Sequence, residues 1–540
     1  MKVRTLSVAE YLIIIVLASV PLFTSFPYRV NIFLSWEGAY RLSQGQLPYR
    51  DFGTPLGGMY WVIPAIFFKI FGPQLITLVK AQVFINIIAG VSFRAILKNL
   101  DVNYGIRFVA VLLFCISYSF FNFWPWYNHS VIVYELVCLA FICRYIKYHR
   151  ERTAVIWLVL AALFNVFSLL TKQDGGGMTL LIGCALLACH GFLEKKWKAL
   201  LLYAGSFALI FVIIILPFIN HGFGYWFNHG QPPHTARLSV MDISNEFFIS
   251  SQWIKFYLFL AALFLVIRYR SLMEFFQDKK KVMFTLLTLA ILVEAAIFQE
   301  TSYTPPDNNI FFHSFAIAFL LSVVPAPSHL KFESTKMVVT CSLGVLLWWS
   351  GTFWKYIQRF LGTGSAVHGI TYSETGENIV NKQNYMLATD TSSVPEHTWT
   401  YSKLPAFKNV KMPPQTVAGI ERLMQMDIVK NNRNIKVLNM TELTPLAVEM
   451  PYELEQNGEL PLWYHLGVGM FNKQAEIYEG RIINNYYDLV MYEYMPRNNN
   501  FYPFRVRDTL RTHYELIDSF HAPRRGSSDS FIEIYVPRAH

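Results

Sequence analysis

The sequence contains few charged residues. Asp, Glu, Lys and Arg make up 15% of its 540 residues, against about 25% in ordinary soluble domains. Hydrophobic residues make up 54%, which excludes an ordinary soluble globular protein and predicts a membrane protein. The net charge is +10, but no basic stripe with interleaved aromatic residues occurs. The composition therefore argues against nucleic acid as a partner.

Cysteines and familiar catalytic motifs are missing from the C-terminal third. All six cysteines lie inside apolar runs, so a disulfide framework is excluded for the polar third, and no pair has zinc-ligand spacing. That third also lacks a phosphate-binding glycine loop and a GxSxG nucleophile. The sequence thus predicts no certain cofactor and leaves a divalent metal possible.

Long apolar runs dominate the first 360 residues. A membrane-spanning helix needs about 20 mostly apolar residues. Eleven stretches meet this requirement, at 8–28, 75–97, 106–123, 129–146, 154–171, 177–193, 199–219, 252–268, 282–299, 309–326 and 336–356. A further apolar piece, Leu56 to Phe71, reads either as another span or as a short juxtamembrane or re-entrant helix.

The distribution of Lys and Arg decides between these alternatives. If Leu56 to Phe71 does not cross, 18 Lys and Arg lie at inner ends and 5 lie in short outer loops, as the positive-inside rule requires. The sequence therefore predicts eleven spans, with the N-terminus cytoplasmic. A bacterial inner membrane fits the absence of a disulfide framework. The outer loops and the whole C-terminal region then face the extracytoplasmic side.

The composition changes near residue 361, where long apolar runs end. TVAGIERLMQMDIVKNN and RDTLRTHYELIDSF have a helical period, whereas NIKVLNM, NYYDLVMYEY and SFIEIYVP are typical of strands. We therefore predict a polytopic α-helical membrane domain over 1–360, with an outer juxtamembrane loop at 29–73, and an extracytoplasmic α/β domain over 361–540. The α/β domain would support the membrane domain or recognise an acceptor.

The stretch WEGAYRLSQGQLPYRDFGTPLGGMY, Trp36 to Tyr60, concentrates polar groups directly after the first apolar run. If its start is helical, Glu37, Arg41 and Gln44 share one face. One interpretation is a solvated helix face with a local ion pair, worth a few tenths of a kcal/mol. The position of the stretch in the first outer loop favours a functional interpretation.

Two carboxylates of this loop are candidate bases. Transfer of a sugar from a phosphate leaving group needs a base for the acceptor hydroxyl and cations or amides for the phosphate. Glu37 is the first candidate base. Asp51 is the second, although Arg50 beside it can simply neutralise it. Candidate substrate-binding residues from the same loop are Trp36, Arg41 and Tyr49.

Lys172 is the foremost candidate for the phosphate, because TKQDGGG places a lysine before the free amides of a helix start. The alternative is a snorkelling lysine in a tight turn. Arg237 and Arg50 are further phosphate candidates. Additional substrate-binding candidates in the outer loops are Gln173, Asp174, His229, Asp307 and Asn308. Glu135 and Glu294 lie within spans, where ionisable groups are often functional.

The loop motif W-E-x7-G-x-x-P-Y-x-D-F-x-x-P, followed by an apolar piece ending in Phe71-Gly72, resembles the polyprenyl-phosphate-dependent glycosyltransferases of clan C. It is most similar to the protein-mannosyltransferase and lipid A aminoarabinose transferase branch. The resemblance implies that Glu37 is the catalytic acidic residue and that the region around Leu56 to Phe71 forms juxtamembrane helices. It also implies transfer from a lipid-linked phosphate donor on the extracytoplasmic side, usually with inversion.

The sequence departs from the family pattern at two places. Many relatives have two adjacent acidic residues where this chain has Glu37-Gly38, and a basic residue where it has Thr54 before Pro55. The missing basic residue makes Lys172 or Arg237 a substitute for the phosphate.

The sequence thus predicts an integral membrane glycosyltransferase that moves a hexose or pentose from a polyprenyl-phosphate-sugar donor to a glycan, lipid or protein acceptor. Two alternatives remain open at this stage. One is a transporter or flippase for a lipid-linked glycan, although paired repeats and broken helices are not evident. The other is a non-catalytic assembly subunit whose C-terminal domain binds glycans.

Overall fold

The computed structural model of the chain describes most of its residues. The described ranges are 3–28, 32–121, 123–227, 239–302, 310–325, 331–351, 353–354, 357, 398–431, 434–450, 452–462, 464, 471–495, 502–523 and 530–538.

Helices account for most of the described chain. In chain order, helices α1 to α21 span Val3–Ser19, Ile32–Ser43, Val62–Phe71, Leu75–Asn99, Tyr104–Phe121, Tyr127–Tyr148, Ala154–Leu169, Gln173–Glu194, Lys198–Ile215, Phe223–Phe227, Val240–Asn245, Gln252–Arg268, Leu272–Gln277, Lys279–Ser302, Ile310–Val323, Thr335–Trp348, Pro414–Gln425, Asp427–Lys430, Leu446–Glu449, Phe471–Ile483 and Phe504–His513.

Short strands occur before α2, between α2 and α3, and throughout the C-terminal region. In chain order, strands β1 to β9 span Phe26–Pro27, Phe52–Gly53, Thr400–Tyr401, Val410–Met412, Val437–Met440, Asn457–Pro461, Leu489–Tyr494, Tyr514–His521 and Phe531–Pro537.

The chain divides into two compact units. The helical unit comprises Met1–Pro21, Gln82–Pro217 and Thr235–Gly364. The mixed unit comprises Leu22–Ala81, Phe218–His234 and Ser365–His540. The predicted boundary at residue 360 lies outside the described residues and stays a prediction. The sequence did not indicate that residues 22–81 share a unit with the C-terminal region.

Many helices are suited to a membrane. Each of the eleven predicted spans contains a helix. By length and composition, six described helices can cross a bilayer, or seven if one bent pair counts as a single span. Five further apolar helices have 10 to 17 residues, so the number of crossings stays a prediction. Helix α3 has 10 residues and is about 15 Å long, half of a bilayer core of about 30 Å.

An ion triad joins α1, α4 and α5 inside the helical unit. Glu10 is fully buried and accepts hydrogen bonds from Arg94 Nε at 2.6 Å and Arg107 Nε at 2.8 Å. Arg94 also donates to the hydroxyls of Tyr11 and Ser7. Buried charges are tolerated when they are paired and hydrogen-bonded in this way. The triad thus fixes three helices to one another.

A second polar cluster joins α6, α7, α8 and α9. Asn165 donates to the carbonyl of Gly176 at 3.0 Å and accepts from the Tyr203 hydroxyl at 2.8 Å. Ser168 donates to the carbonyl of Val131 at 3.0 Å. These side chains hold neighbouring helices together where apolar surroundings provide no water for hydrogen bonding.

The mixed unit contains a four-stranded sheet in the order β5-β7-β9-β8. Strand β7 pairs in parallel with β5, and β9 pairs antiparallel with both β7 and β8. Strand β7 is buried along most of its length, as expected for a central strand. Its Val490 and Tyr492 pack in one core with Tyr478, Ile482 and Leu510 of α20 and α21.

Two shorter pairings join the loop region after α1 to the C-terminal region. Strand β1 pairs in parallel with β4, which pairs antiparallel with β3. Strand β2 pairs in parallel with β6, so that Phe52 lies opposite Asn457 and Gly53 opposite Pro461. The juxtamembrane loop is therefore part of the backbone hydrogen-bonding pattern of the C-terminal region.

The predicted helix RDTLRTHYELIDSF is wrong in its second half. Helix α21 ends at His513, and the next eight residues form β8. The backbone of β8 pairs antiparallel with β9. The period of the side chains within this stretch cannot reveal that a separate segment will pair with it. The other predicted C-terminal elements correspond to α17 and α18, β5, β7 and β9.

Replacing Glu10 with Gln is expected to destabilise the helical unit. Arg94 and Arg107 would stay buried without a carboxylate, which costs about 3–5 kcal/mol. We expect a clear decrease in the thermal unfolding temperature of the protein in detergent. Glu151→Gln, at an exposed position, is the matched control. Equal unfolding temperatures for both variants would contradict a stabilising role of the triad.

Candidate functional site

Two tryptophans hold helix α2 against α3. Trp36 is fully buried, stacks on Tyr40 with ring centroids 4.7 Å apart, and donates from Nε1 to the carbonyl of Pro73 at 3.0 Å. Trp61 is also fully buried and donates from Nε1 to the carbonyl of Leu34 at 2.8 Å. The predicted substrate-binding residue Trp36 is therefore a packing residue that fixes the helix carrying Glu37.

Glu37 and Arg41 form an ion pair one turn apart on α2. Arg41 Nε and Nη2 both lie 2.8 Å from Glu37 Oε1. Each residue is only 8% exposed, so the interpretation of these residues as a solvated helix face is wrong. Glu37 Oε2 accepts no hydrogen bond from any described residue.

Arg41 also contacts the segment between α19 and β6. Its Nη1 donates to Gln46 Oε1 and to the carbonyl of Glu455, both at 2.8 Å. Gln46 Nε2 donates to the carbonyl of Leu454 at 3.2 Å. The guanidinium lies 5.2 Å from the centre of the Phe52 ring. Arg41 thus orients Glu37 and joins α2 to residues 454–455.

A cavity opens beside this ion pair. Its volume is about 780 Å³, a figure that includes the part open to solvent. All its lining residues belong to the mixed unit: Phe33, Glu37, Arg41, Phe52, Val437, Leu438, Asn439, Thr441, Thr444, Tyr452, Leu454, Glu455, Asn457, Leu460, Pro461, Leu462, Tyr464, Tyr478 and Tyr502. The C-terminal region therefore supplies most of the cavity wall.

Three tyrosines of this wall lie near Glu37. The Tyr452 hydroxyl accepts from Asn439 Nδ2 at 3.3 Å, and the Tyr464 hydroxyl donates to that of Tyr478. Burial raises the pKa of all three phenols, and the negative charge of Glu37 raises it further. The phenols therefore stay protonated and keep their hydrogen-bond donors at neutral pH.

Asp51, Arg50 and Tyr49 stabilise the turn before β2. The Asp51 carboxylate accepts from the Leu47 amide at 2.7 Å and from Arg50 Nη2 at 2.6 Å. Burial raises the pKa of Asp51, but these hydrogen bonds outweigh it and hold the pKa below its usual value. Tyr49, with a φ of 70°, donates to the carbonyl of Leu56 and packs on Phe223. None of the three lines the cavity.

Lys172, Gln173 and Asp174 lie at the start of α8 in the helical unit. Lys172 Nζ donates to Asp174 Oδ2 at 2.8 Å and lies 4.7 Å from the centre of the Phe298 ring. Asp174 Oδ1 accepts from the Gly175 amide at 2.8 Å, and Gln173 is half-buried. Lys172 is thus a buried, paired cation rather than a snorkelling one.

Glu135 and Glu294 meet between α6 and α14. They are 1% and 0% exposed, and their carboxyl groups interact with each other electrostatically. None of their four oxygens has a hydrogen-bond partner among the described residues.

Other predicted site residues cannot be placed. Arg237, His229, Asp307 and Asn308 lie outside the described residues. Within the described ranges, no group of three or more His, Cys, Asp or Glu side chains is arranged to hold a metal ion.

Comparisons with known proteins identify the fold. No protein-family model and no curated protein sequence matches the chain. ArnT from Cupriavidus metallidurans in the apo state matches at 12% identity with a TM-score of 0.50, covering 98% of this chain and 97% of that chain. Its structure bound to undecaprenyl phosphate matches at 11% identity with a TM-score of 0.47 and the same coverage.

The Archaeoglobus fulgidus oligosaccharyltransferase in complex with Zn and sulfate matches at 12% identity with a TM-score of 0.40. The match covers 71% of this chain, which spans 56% of the length of that oligosaccharyltransferase. ArnT, a lipid A aminoarabinose transferase, and this oligosaccharyltransferase both belong to clan C of the glycosyltransferases. The chain has the clan C glycosyltransferase fold. The resemblance predicted from the loop motif is confirmed at the level of the fold.

Within this clan C fold, the structure adds residues that the sequence did not single out. Asn439, Tyr452, Glu455 and Tyr478 line the cavity that contains Glu37. They lie about 400 residues away along the chain, and no local motif marks them. The abundance of tyrosine in the C-terminal region was the one signal available.

Replacing Gly38 with Ala is expected to disturb the site. The added methyl carbon would lie 2.0 Å from the Trp61 ring, so α2 or α3 must move, at a cost of about 1–3 kcal/mol or more. The thermal unfolding temperature should decrease. The control is Gly480→Ala in α20, where no atom lies within 4 Å. If Gly38→Ala unfolded at the same temperature as Gly480→Ala, the close contact of residue 38 with the Trp61 ring would not limit the size of the side chain there.

Proposed function

We propose that the chain is an integral membrane glycosyltransferase that uses a polyprenyl-phosphate-linked sugar donor. The observation that carries the proposal is the buried carboxylate of Glu37, which lines a cavity and stands at the position that the clan C loop motif assigns to the catalytic acidic residue. The clan C fold and the apolar helices support it. The acceptor would be a glycan, lipid or protein on the extracytoplasmic face of the inner membrane.

In the proposed step, Glu37 takes the proton from an acceptor hydroxyl. The hydroxyl oxygen attacks the anomeric carbon, and the bond from that carbon to the phosphate oxygen breaks, its electron pair remaining on the phosphate. The products are the new glycoside, the polyprenyl phosphate and protonated Glu37, which releases its proton to water. Attack opposite the departing phosphate inverts the anomeric configuration. Glu37 Oε2, which accepts no hydrogen bond from a described residue, suits this step, because Oε1 is held by Arg41.

Asp51 is the weaker candidate base. Its carboxylate accepts hydrogen bonds from Arg50 and the Leu47 amide, and it does not line the cavity. Its contacts favour a role in holding the turn that precedes β2. Arg50 is correspondingly occupied as the partner of Asp51.

Lys172 stays the proposed phosphate-binding residue. Lys172 directly precedes helix α8. Its ammonium group donates to Asp174, and this contact must be shared or broken before Lys172 binds phosphate. Arg237 is the other proposed phosphate ligand. Gln173 and Asp174 keep a proposed substrate-binding role through their position beside Lys172.

A Glu37→Gln variant tests the proposal. Loss of a general base typically reduces the rate by about 10²- to 10⁴-fold, so transfer by the folded variant should fall by this amount while donor binding is kept. The unfolding temperature is measured as well, because Arg41 loses its carboxylate partner. Transfer is measured with purified protein in detergent, a panel of radiolabelled polyprenyl-phosphate sugars and a membrane extract as acceptor. The exposed Glu515→Gln is the matched control.

Two outcomes would contradict the proposal in different ways. Full activity of Glu37→Gln would assign the base to another residue. Failure of the folded wild type to transfer any sugar, while it still binds the donors, would favour a transporter or a non-catalytic glycan-binding subunit.

A further inference from the structure

The charged and hydrogen-bonding groups of the cavity beside Glu37 limit the kind of ligand that it can bind. We propose that it binds a neutral sugar whose hydroxyl is the acceptor, that it disfavours phosphorylated or acidic acceptors, and that Tyr452 contributes to recognition of that sugar. The inference rests on the proposed function, because it assigns the acceptor class of the same site.

The charges of the cavity wall oppose an anionic ligand. The described lining residues include three charged side chains, Glu37, Arg41 and Glu455. Arg41 already donates to Glu37, to Gln46 and to the Glu455 carbonyl. Its hydrogen bonds from Nε and Nη1 therefore all go to protein groups, and Glu455 is itself paired with Arg481. A ligand phosphate or carboxylate would meet the negative charge of Glu37, while the one cation among the described lining residues, Arg41, is already engaged by the protein.

The chemistry of the base leads to the same conclusion. A phosphate oxygen is already negatively charged at neutral pH and needs no base before it attacks carbon. A sugar hydroxyl is a weak nucleophile until its proton is removed, so a positioned carboxylate accelerates its reaction. A carboxylate that lines a cavity, with one oxygen that no described residue hydrogen-bonds, is therefore matched to a neutral hydroxyl acceptor.

Neutral hydrogen-bonding groups share the cavity wall with Glu37. Tyr452 accepts from Asn439 Nδ2, and its own hydroxyl proton is donated to no described residue. Thr444 also lines the cavity, is 5% exposed, and its hydroxyl has no hydrogen-bond partner in the described part of the chain. The aromatic faces of Tyr464 and Tyr478 complete the wall. Aromatic faces with a few placed polar groups are typical of pockets for small, polar but uncharged ligands.

The backbone around Tyr452 is fixed relative to Glu37. Arg41 binds the carbonyl of Glu455, and Gln46 binds that of Leu454. The Asn457 amide donates to the carbonyl of Asp51 at 2.7 Å. These three hydrogen bonds to the 454–457 segment hold Tyr452 at a defined place, so its hydroxyl can discriminate between sugars.

The test compares acceptors of different charge. Methyl glycosides of neutral hexoses, the corresponding methyl uronosides and hexose 6-phosphates are offered to the full-length protein with its donor. We expect kcat/KM to be at least about 10-fold higher for the neutral glycosides. Tyr452→Phe should raise KM for them by about 2- to 10-fold with kcat nearly unchanged, as expected for one neutral hydrogen bond. Tyr401→Phe, at an exposed position, is the control.

Binding of the same three probes is measured by calorimetry, which does not depend on turnover. Tighter binding of the phosphorylated or acidic sugars, or an unchanged affinity and KM in Tyr452→Phe, would overturn the inference. If the wild type transfers no sugar but binds neutral glycosides through Tyr452, the inference about the class of sugar that the cavity binds holds, and the proposed transfer fails. A structural role of Tyr452 would instead lower kcat and the unfolding temperature together.

Discussion

The buried contact between Arg41 and Glu37 is the interaction on which the candidate site depends. Two charged groups inside a protein are stable when their charges and hydrogen-bonding groups are satisfied. Arg41 meets this condition by donating to Glu37, Gln46 and the Glu455 carbonyl. The same guanidinium therefore orients the carboxylate and joins helix α2 to the C-terminal region.

The rest of the mixed unit reinforces this contact through the backbone. Strand β2 pairs with β6, and Trp226 fills the space beside Gly53, donating from Nε1 to the Gly458 carbonyl at 2.9 Å. Short strands are weak alone, because each forms few hydrogen bonds. Their combination with a buried ion pair and two buried tryptophans gives a rigid support, and such rigidity is what a positioned base requires.

The buried polar residues of the helical unit are arranged differently from those of the candidate site. Glu10 is paired with two arginines, and Lys172 is paired with Asp174. Each pairing satisfies a charge in apolar surroundings, where an unpaired one would be costly. Glu135 and Glu294 stand apart because they lack a cation partner among the described residues.

Some of these features could be predicted from the sequence because they depend on neighbouring residues. Apolar run length located the eleven helices, and the charge distribution indicated that the piece before Phe71 is short. The four-residue spacing of Glu37 and Arg41 predicted their contact. The second half of RDTLRTHYELIDSF was misassigned because a strand partner more than ten residues away determined its conformation.

The sequence by itself determined the membrane character, the positions of the apolar helices and the choice of Glu37 as the first candidate base. Each of these follows from composition, periodicity or a local motif. The tertiary structure alone decided that Glu37 is buried, that Arg41 binds the Glu455 carbonyl and that Tyr452 lies in the cavity wall. These contacts join residues about 400 positions apart, and no local property of a chain specifies which distant segments will meet. They are set by strand pairing and by the packing of side chains in the folded unit.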